Sequence, residues 1–267
     1  MKKFLLVVLT FGLASCVNPY TRFYRGVPDA RKIPGYEPAK AELQIYTTNN
    51  FKRDMRVLFR QGYVPVGQAA FNAPTRSVTE WELRQQAAKI GAQAVLISSK
   101  YAYTVSGAMP FTVPQTSTSF TTGTATAYGP GGTVTAYGSG MTTTYGTETM
   151  MMPFSIPHSD FDAVFFAKVK TQLGVYCLPL DDATRQRLQT NAGVKVLEVM
   201  DGSAAFRENI LPGDVILAIG NDQIDSAKDL KQLLLKYQGQ SVVFHLNRAG
   251  RPLDKRIEVP LASYAGQ

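Results

Sequence analysis

The stretch that decides the fold is Gly202–Ile224, GSAAFRENILPGDVILAIGNDQI. It reads as a small-residue turn, a short helix, a Pro-Gly-Asp turn and then an apolar strand. Asp214 follows Gly213 in the turn, where a carboxylate can accept backbone N–H bonds. Val215, Ile216, Leu217 and Ile219 form a β-rich run bounded by turn residues, Asn221-Asp222 ends it, and Ile224 opens a new short run. Before this stretch come Leu173-Gly174-Val175-Tyr176 and the apolar run Val194–Val199. After it come a helical pattern over Ala227–Tyr237, the turn Gln238-Gly239, a strand Ser241–Asn247, the turn Ala249-Gly250 and a last strand Arg256–Leu261.

This series resembles the core of a PDZ domain, with the Leu-Gly-Val loop placed first as in the bacterial HtrA-type arrangement. Asn209-Ile210-Leu211 replaces the family's usual Ala-Gly-Leu. The resemblance implies a β-rich domain with two helices over 171–263. It implies peptide binding by strand addition, in which main-chain hydrogen bonds supply affinity and side-chain pockets supply choice. The amides of Leu173, Gly174 and Val175 would receive a C-terminal carboxylate, and Tyr176 lies on the strand that pairs with the peptide until Pro179 stops it. The helix from Ala227, with Ser226 as cap, would present Ala227, Lys231 and Leu234 to the groove and Leu230 and Leu233 to the core. Ala227 stands where some relatives carry a histidine, so a hydrophobic ligand terminus is expected, with Lys231 attracting an acidic position. The competing expectation is a groove closed or used for packing within the chain.

The chain starts with basic Lys2-Lys3, the apolar run Phe4–Gly12, too short to span a bilayer, and Leu13-Ala14-Ser15-Cys16. This resembles a bacterial lipobox, which implies a signal peptide over 1–16, acylation of Cys16 and attachment to a membrane through N-terminal lipid. Asn18 rather than Asp at the second position after the cysteine implies an outer-membrane address. Cys177 is then the other cysteine of two, which leaves no intrachain disulfide. Its expected role is that of a small buried apolar residue.

Between leader and PDZ-like part lie Val17–Lys40, expected to be an extended tether, and a small α/β domain over 41–170. Leu43–Tyr46 is a strand and Phe51–Arg60 a helix with Phe51, Met55, Leu58 and Phe59 on one face, stopped at Gly62. Tyr63–Phe71 is a strand broken or placed at an edge by Pro65. Thr79-Glu80-Trp81-Glu82 is a capping box opening a helix to Ile90, with Trp81, Ala88 and Leu83 or Ala87 toward the core. Gln93–Tyr103 and Phe161–Val169 are strands. The order β-α-β-α-β-β predicts helices on one face of a sheet.

Phe111–Met152 is nearly all Thr, Ser, Gly, Tyr, Ala and Met, with Glu148 its one ionisable carboxylate. It reads either as a flexible loop or as a long β-hairpin arm, the arm favoured by its apolar flanks. Exposed strand edges there would invite contact with another chain, making a homo-oligomer the alternative function. Gly129-Pro130-Gly131-Gly132 lacks the Lys-Ser/Thr pair of a phosphate loop.

The net charge of +8 is concentrated between Arg22 and Arg60. No basic stripe interleaves with aromatics, so nucleic acid is not an expected partner; phospholipid headgroups remain one. His158 and His245 stand far apart, which nominates no zinc site. No Gly-x-Ser-Gly-Gly nucleophile motif occurs, and no base and acid are paired with a serine. The expectation is a protein with neither cofactor nor catalytic activity: a lipid-anchored envelope adaptor that binds peptide or protein termini, with an unrecognised enzyme in the domain over 41–170 as a further alternative.

Overall fold

The computed structural model describes residues 17–39 and 41–262; the leader and Cys16 lie outside them, as does Ser263 at the expected end of the second domain. The residues expected to form a tether are folded. They carry α1 (Pro19–Arg22), β1 (Tyr24–Gly26) and a single 3-10 turn at Ala30–Lys32. Tyr20 and Ala30 are buried, and Tyr20 packs edge-on to Phe71. The short elements have no period, so local pattern gave no sign of them; Asn18 and Asp29 act as caps.

Next come β2 (Gln44–Thr47), α2 (Phe51–Arg60), β3 (Tyr63–Pro74), α3 (Glu80–Ile90), β4 (Ala94–Gly129) and β5 (Gly132–Lys168). The sheet order is β1-β3-β5-β4-β2, with β2 parallel to β4 and β1 antiparallel to β3. β3 is neither broken nor at the edge, because β1 pairs with it at Gly67–Ala69.

The helices cover opposite faces of this sheet rather than one. Side chains alternate along a strand, and β5 uses both sides. Ala163, Phe165 and Ala167 cluster with Leu83, Ala87 and Ile90 of α3. Val164 and Phe166 cluster with Phe51, Met55 and Leu58 of α2. The continuously apolar Ala94-Val95-Leu96 of β4 reports the same two-sided burial. Helix α3 buries Leu83, Gln86, Ala87 and Ile90, whereas Trp81 and Ala88 are exposed. Thr79 and Glu82 form the reciprocal cap, and Gly91 closes the helix in the left-handed conformation at φ 72°.

The chain then enters a second sheet through β6 (Val175–Pro179), α4 (Asp182–Leu188), β7 (Val194–Val199), α5 (Ala204–Arg207), β8 (Val215–Ile219), β9 (Asp222–Gln223), α6 (Ala227–Lys236), β10 (Ser241–Arg248) and β11 (Arg251–Glu258). The order is β11-β10-β8-β7-β6, with β9 on β8. This part has three helices instead of two, since Asp181 caps α4 through the Thr184 amide. The last strand starts at Arg251, immediately after the Ala249-Gly250 turn, and pairs with β10 along its length. Its core joins Leu173, Val194, Val196, Ile210, Ile216, Ile219, Leu230, Leu234, Phe244 and Ile257.

Residues 102–158 form a compact unit of their own, made of the distal parts of β4 and β5 joined by the turn Pro130-Gly131.

Candidate functional site

Among the described residues, strand β6 is the outer strand of its sheet and is paired on one side, by β7. A groove of about 580 Å³ runs along it and is closed on the other side by α6. Leu173, Gly174, Val175, Tyr176, Ala227, Lys231 and Leu234 all line it. Ser226 caps α6 by accepting from the Asp229 amide. The expected division of α6 between groove and core is not sharp: Leu230 and Leu234 are both buried in the core and both border the groove, while Leu233 packs against the core part-buried.

At the head of the groove sits the Leu173-Gly174 turn. Its carbonyls are held from behind: Ala205 N donates to Leu173 O at 3.0 Å and Met200 N to Gly174 O at 2.8 Å. Among the described residues, the Leu173 and Gly174 amides donate to no backbone carbonyl. Gly174 has φ +81°, and a Cβ there would overlap Ser203 Cβ and lie 2.5 Å from Ser203 Oγ. The glycine is required both by backbone conformation and by this close approach.

Ile33, Pro34, Lys170 and Gln172 line the groove without a signal in the sequence. Ile33 and Pro34 supply a further wall from the segment expected to be a tether. That segment is fixed to the approach of the groove: Lys170 N donates to Gly35 O at 2.7 Å, Glu37 N to Lys168 O at 3.0 Å, and Tyr36 bridges Val169. The Gln172 amide donates to Leu234 O at 3.2 Å and Pro260 O at 3.1 Å, tying the loop to α6. Among the described residues, Lys170 and Lys231 are the charged ones lining the groove, and both are positive. Cys177 lines it too; burial pushes its thiol up to about 12, so it is protonated at neutral pH and behaves as an apolar residue.

Two polar clusters support this frame. Asp214, in the Pro-Gly-Asp turn that leads into β8, is 1% exposed. It takes a two-pronged bond from Arg248, Nε to Oδ1 at 2.7 Å and Nη2 to Oδ2 at 2.8 Å, and accepts from the Leu211 amide. Glu198 of β7 is buried and faces Arg60 at 3.0 Å and Arg56 at 3.5 Å from α2. Phe59 of α2 lies against Tyr176 at 5.8 Å, and Asp201 N donates to Arg60 O at 2.9 Å. One face of α2 therefore buttresses the sheet that carries the groove. His245 bonds Asp254 Oδ1 at 2.8 Å on the β10–β11 surface. Among the described residues, no group of His, Cys, Asp or Glu side chains has the arrangement of a metal site, and no helix is long and apolar enough to cross a membrane.

Residues 171–259 match the family model described as PDZ domain; this part of the chain is a PDZ domain with HtrA-type homologues. A curated relative, described as a probable periplasmic serine endoprotease DegP-like from Pseudomonas fluorescens, is 32% identical over 103 residues, covering 36% of this chain and 21% of the relative. The match thus spans about a fifth of that relative's length. Among solved structures, the HtrA-type protease AlgW with decapeptide is 24% identical, covers 37% of each chain and has a TM-score of 0.30. The HtrA3 PDZ domain bound to a phage-derived ligand is 18% identical over 35% of this chain and 89% of that one, with a TM-score of 0.31.

Proposed function

We propose that this chain is a non-catalytic adaptor of the bacterial cell envelope, held to a membrane by lipid on Cys16, whose PDZ domain binds the ends of other polypeptides. The observation that carries the reading is the groove between the outer strand β6 and helix α6, headed by the Leu173 and Gly174 amides. An extended peptide added to β6 satisfies the row of backbone groups on its unpaired side. Its terminal carboxylate meets amide donors, and its last side chain enters a lining of Leu173, Val175, Leu230 and Leu234. Lys170 and Lys231 add a positive field, which favours a ligand with an acidic side chain upstream of an apolar end.

The periplasmic description of the relative supports an envelope location for this protein, and Asn18 after Cys16 supports the outer membrane. The test is a titration of the protein with paired peptides, each ending in an apolar residue and bearing either a free carboxylate or a terminal amide. The free acids should bind at least tenfold more tightly and perturb the amide resonances of 173–178. Equal binding of acid and amide forms, or no perturbation in that segment, would remove the reading.

A further inference from the structure

The unit 102–158 is a two-stranded ribbon with one constant register. Tyr103 stacks on His158 at 4.9 Å, the Phe154 ring lies over Gly107, and Thr112 Oγ1 and Thr149 Oγ1 are 3.0 Å apart across the strands. The same pairing closes on the Pro130-Gly131 turn. With side chains alternating along each strand, this register places Val105, Met109, Phe111, Met150, Met152, Phe154 and Ile156 on one face. The other face at the same level is mixed: Met151, 63% exposed, and Pro110 and Pro153 stand among Ser106, Ala108, Thr112, Thr149 and Ser155, with Ser106 and Ser155 hydroxyls 3.5 Å apart. All seven apolar side chains are exposed, from 36% for Phe154 to 57% for Met109. From Val105 to Ile156 the sequence has no Lys, Arg, His or Asp, and one Glu, Glu148.

We infer that this stripe is a self-association surface, covered by the same stripe of a second copy of the chain. A two-stranded ribbon is marginal in water and needs a covering layer on its apolar face. The seven side chains expose on the order of 700 Å², close to the roughly 800 Å² that each partner contributes to a standard interface. Two ribbons laid stripe on stripe make a small sandwich with layers about 10 Å apart. A two-fold axis matches identical stripes without further adaptation, and the near absence of charge removes repulsion between copies. Hydrocarbon is a poor cover by itself, because an open two-stranded ribbon leaves edge amides and carbonyls unsatisfied in lipid.

The test uses the full chain in mild non-ionic detergent, sized by light scattering after gel filtration. The expected mass is twice that of one chain, falling to one chain in M109K/M152K and staying double in T112K/T149K, which alters the opposite face. A second readout is oxidative cross-linking: Met152→Cys should give a linked dimer and Thr112→Cys should not, against the unsubstituted chain as background. Unchanged peptide binding by M109K/M152K would show that the rest of the fold is intact. A single-chain mass for the unsubstituted protein at all concentrations overturns the inference. So does a double mass that survives M109K/M152K, equal cross-linking from both faces, or a stripe-dependent flotation of single chains with phosphatidylglycerol vesicles.

Discussion

Replacing Gly174 with alanine adds one methyl group at the head of the groove. At φ +81° a residue with a Cβ is strained by about 1 kcal/mol. The new methyl also falls inside contact distance of Ser203 Cβ, an atom that no side-chain rotation can move. Overpacking of this kind costs about 1–3 kcal/mol, so the sum is about 2–4 kcal/mol. With a mid-range urea dependence of about 2 kcal/mol per molar, the unfolding midpoint should fall by about 1–2 M. Where the loop yields instead of the fold, the amides lose their aim and carboxylate binding should weaken at least tenfold, about 1.4 kcal/mol. The discriminating variant is G174A/S203G. Removing the Ser203 side chain clears the overlap and costs only a few tenths of a kcal/mol as a cap change, so the double variant should recover roughly half or more of the lost stability. Urea denaturation followed by circular dichroism, with a peptide titration at each variant, measures both quantities. A double variant no better than Gly174→Ala alone would show that the close approach to Ser203 is not what demands glycine.

Asp214→Asn should destabilise the PDZ domain by about 2–3 kcal/mol, toward the lower end for a broken buried pair because Arg248 is partly exposed; the same denaturation curve reads it. Lys231→Glu should weaken peptides with an upstream acidic residue several-fold and leave neutral ones little changed, with the difference shrinking in high salt. Cys177 should react with a disulfide reagent at pH 8 about a thousandfold more slowly in the folded protein than in urea, given a thiol held near 12 and an ordinary value of about 8.5, as followed by mass spectrometry of its peptide. The Asp181 carboxyl is held below its ordinary value by hydrogen bonds from Lys195 and Thr184. Its contribution is therefore complete above the unfolded value near 3.8 and is lost as pH falls further, so Asp181→Asn should flatten the acid limb of stability below about pH 4.

The PDZ domain was readable because its signals are local and mutually consistent. Gly213-Asp214 fixes a turn, Val215–Ile219 has the length and composition of a buried strand, and the Leu-Gly-Val turn sits at a fixed place in the order. The groove residues followed from that alignment, and the structure gathers all seven around one cleft. What escaped was decided by partners distant in sequence. Pro65 argued for an edge because nothing in Val17–Lys40 announced that Tyr24–Gly26 would lie beside Gly67–Ala69. Trp81 and Ala88 are expected toward the core, but the helical spacing of Leu83, Ala87 and Ile90 governs burial there. The placement of α2 and α3 on opposite faces was legible in the uninterrupted apolar run Ala94-Val95-Leu96, which a sheet covered on one face does not need. Ile33 and Pro34 reach the groove only because Gly35–Glu37 is zipped to Lys168–Lys170, a long-range pairing with no local signature.

The folded state of residues 19–36 sets how far the protein can stray from an attachment at residue 16. Three peptide steps separate that residue from Pro19, a reach of at most about 11 Å. An acyl group on Cys16 would therefore keep Pro19 within that reach of the bilayer surface. Polypeptides would be met at the membrane surface itself, and a spacer inserted between Cys16 and Pro19 would change which of them come within range.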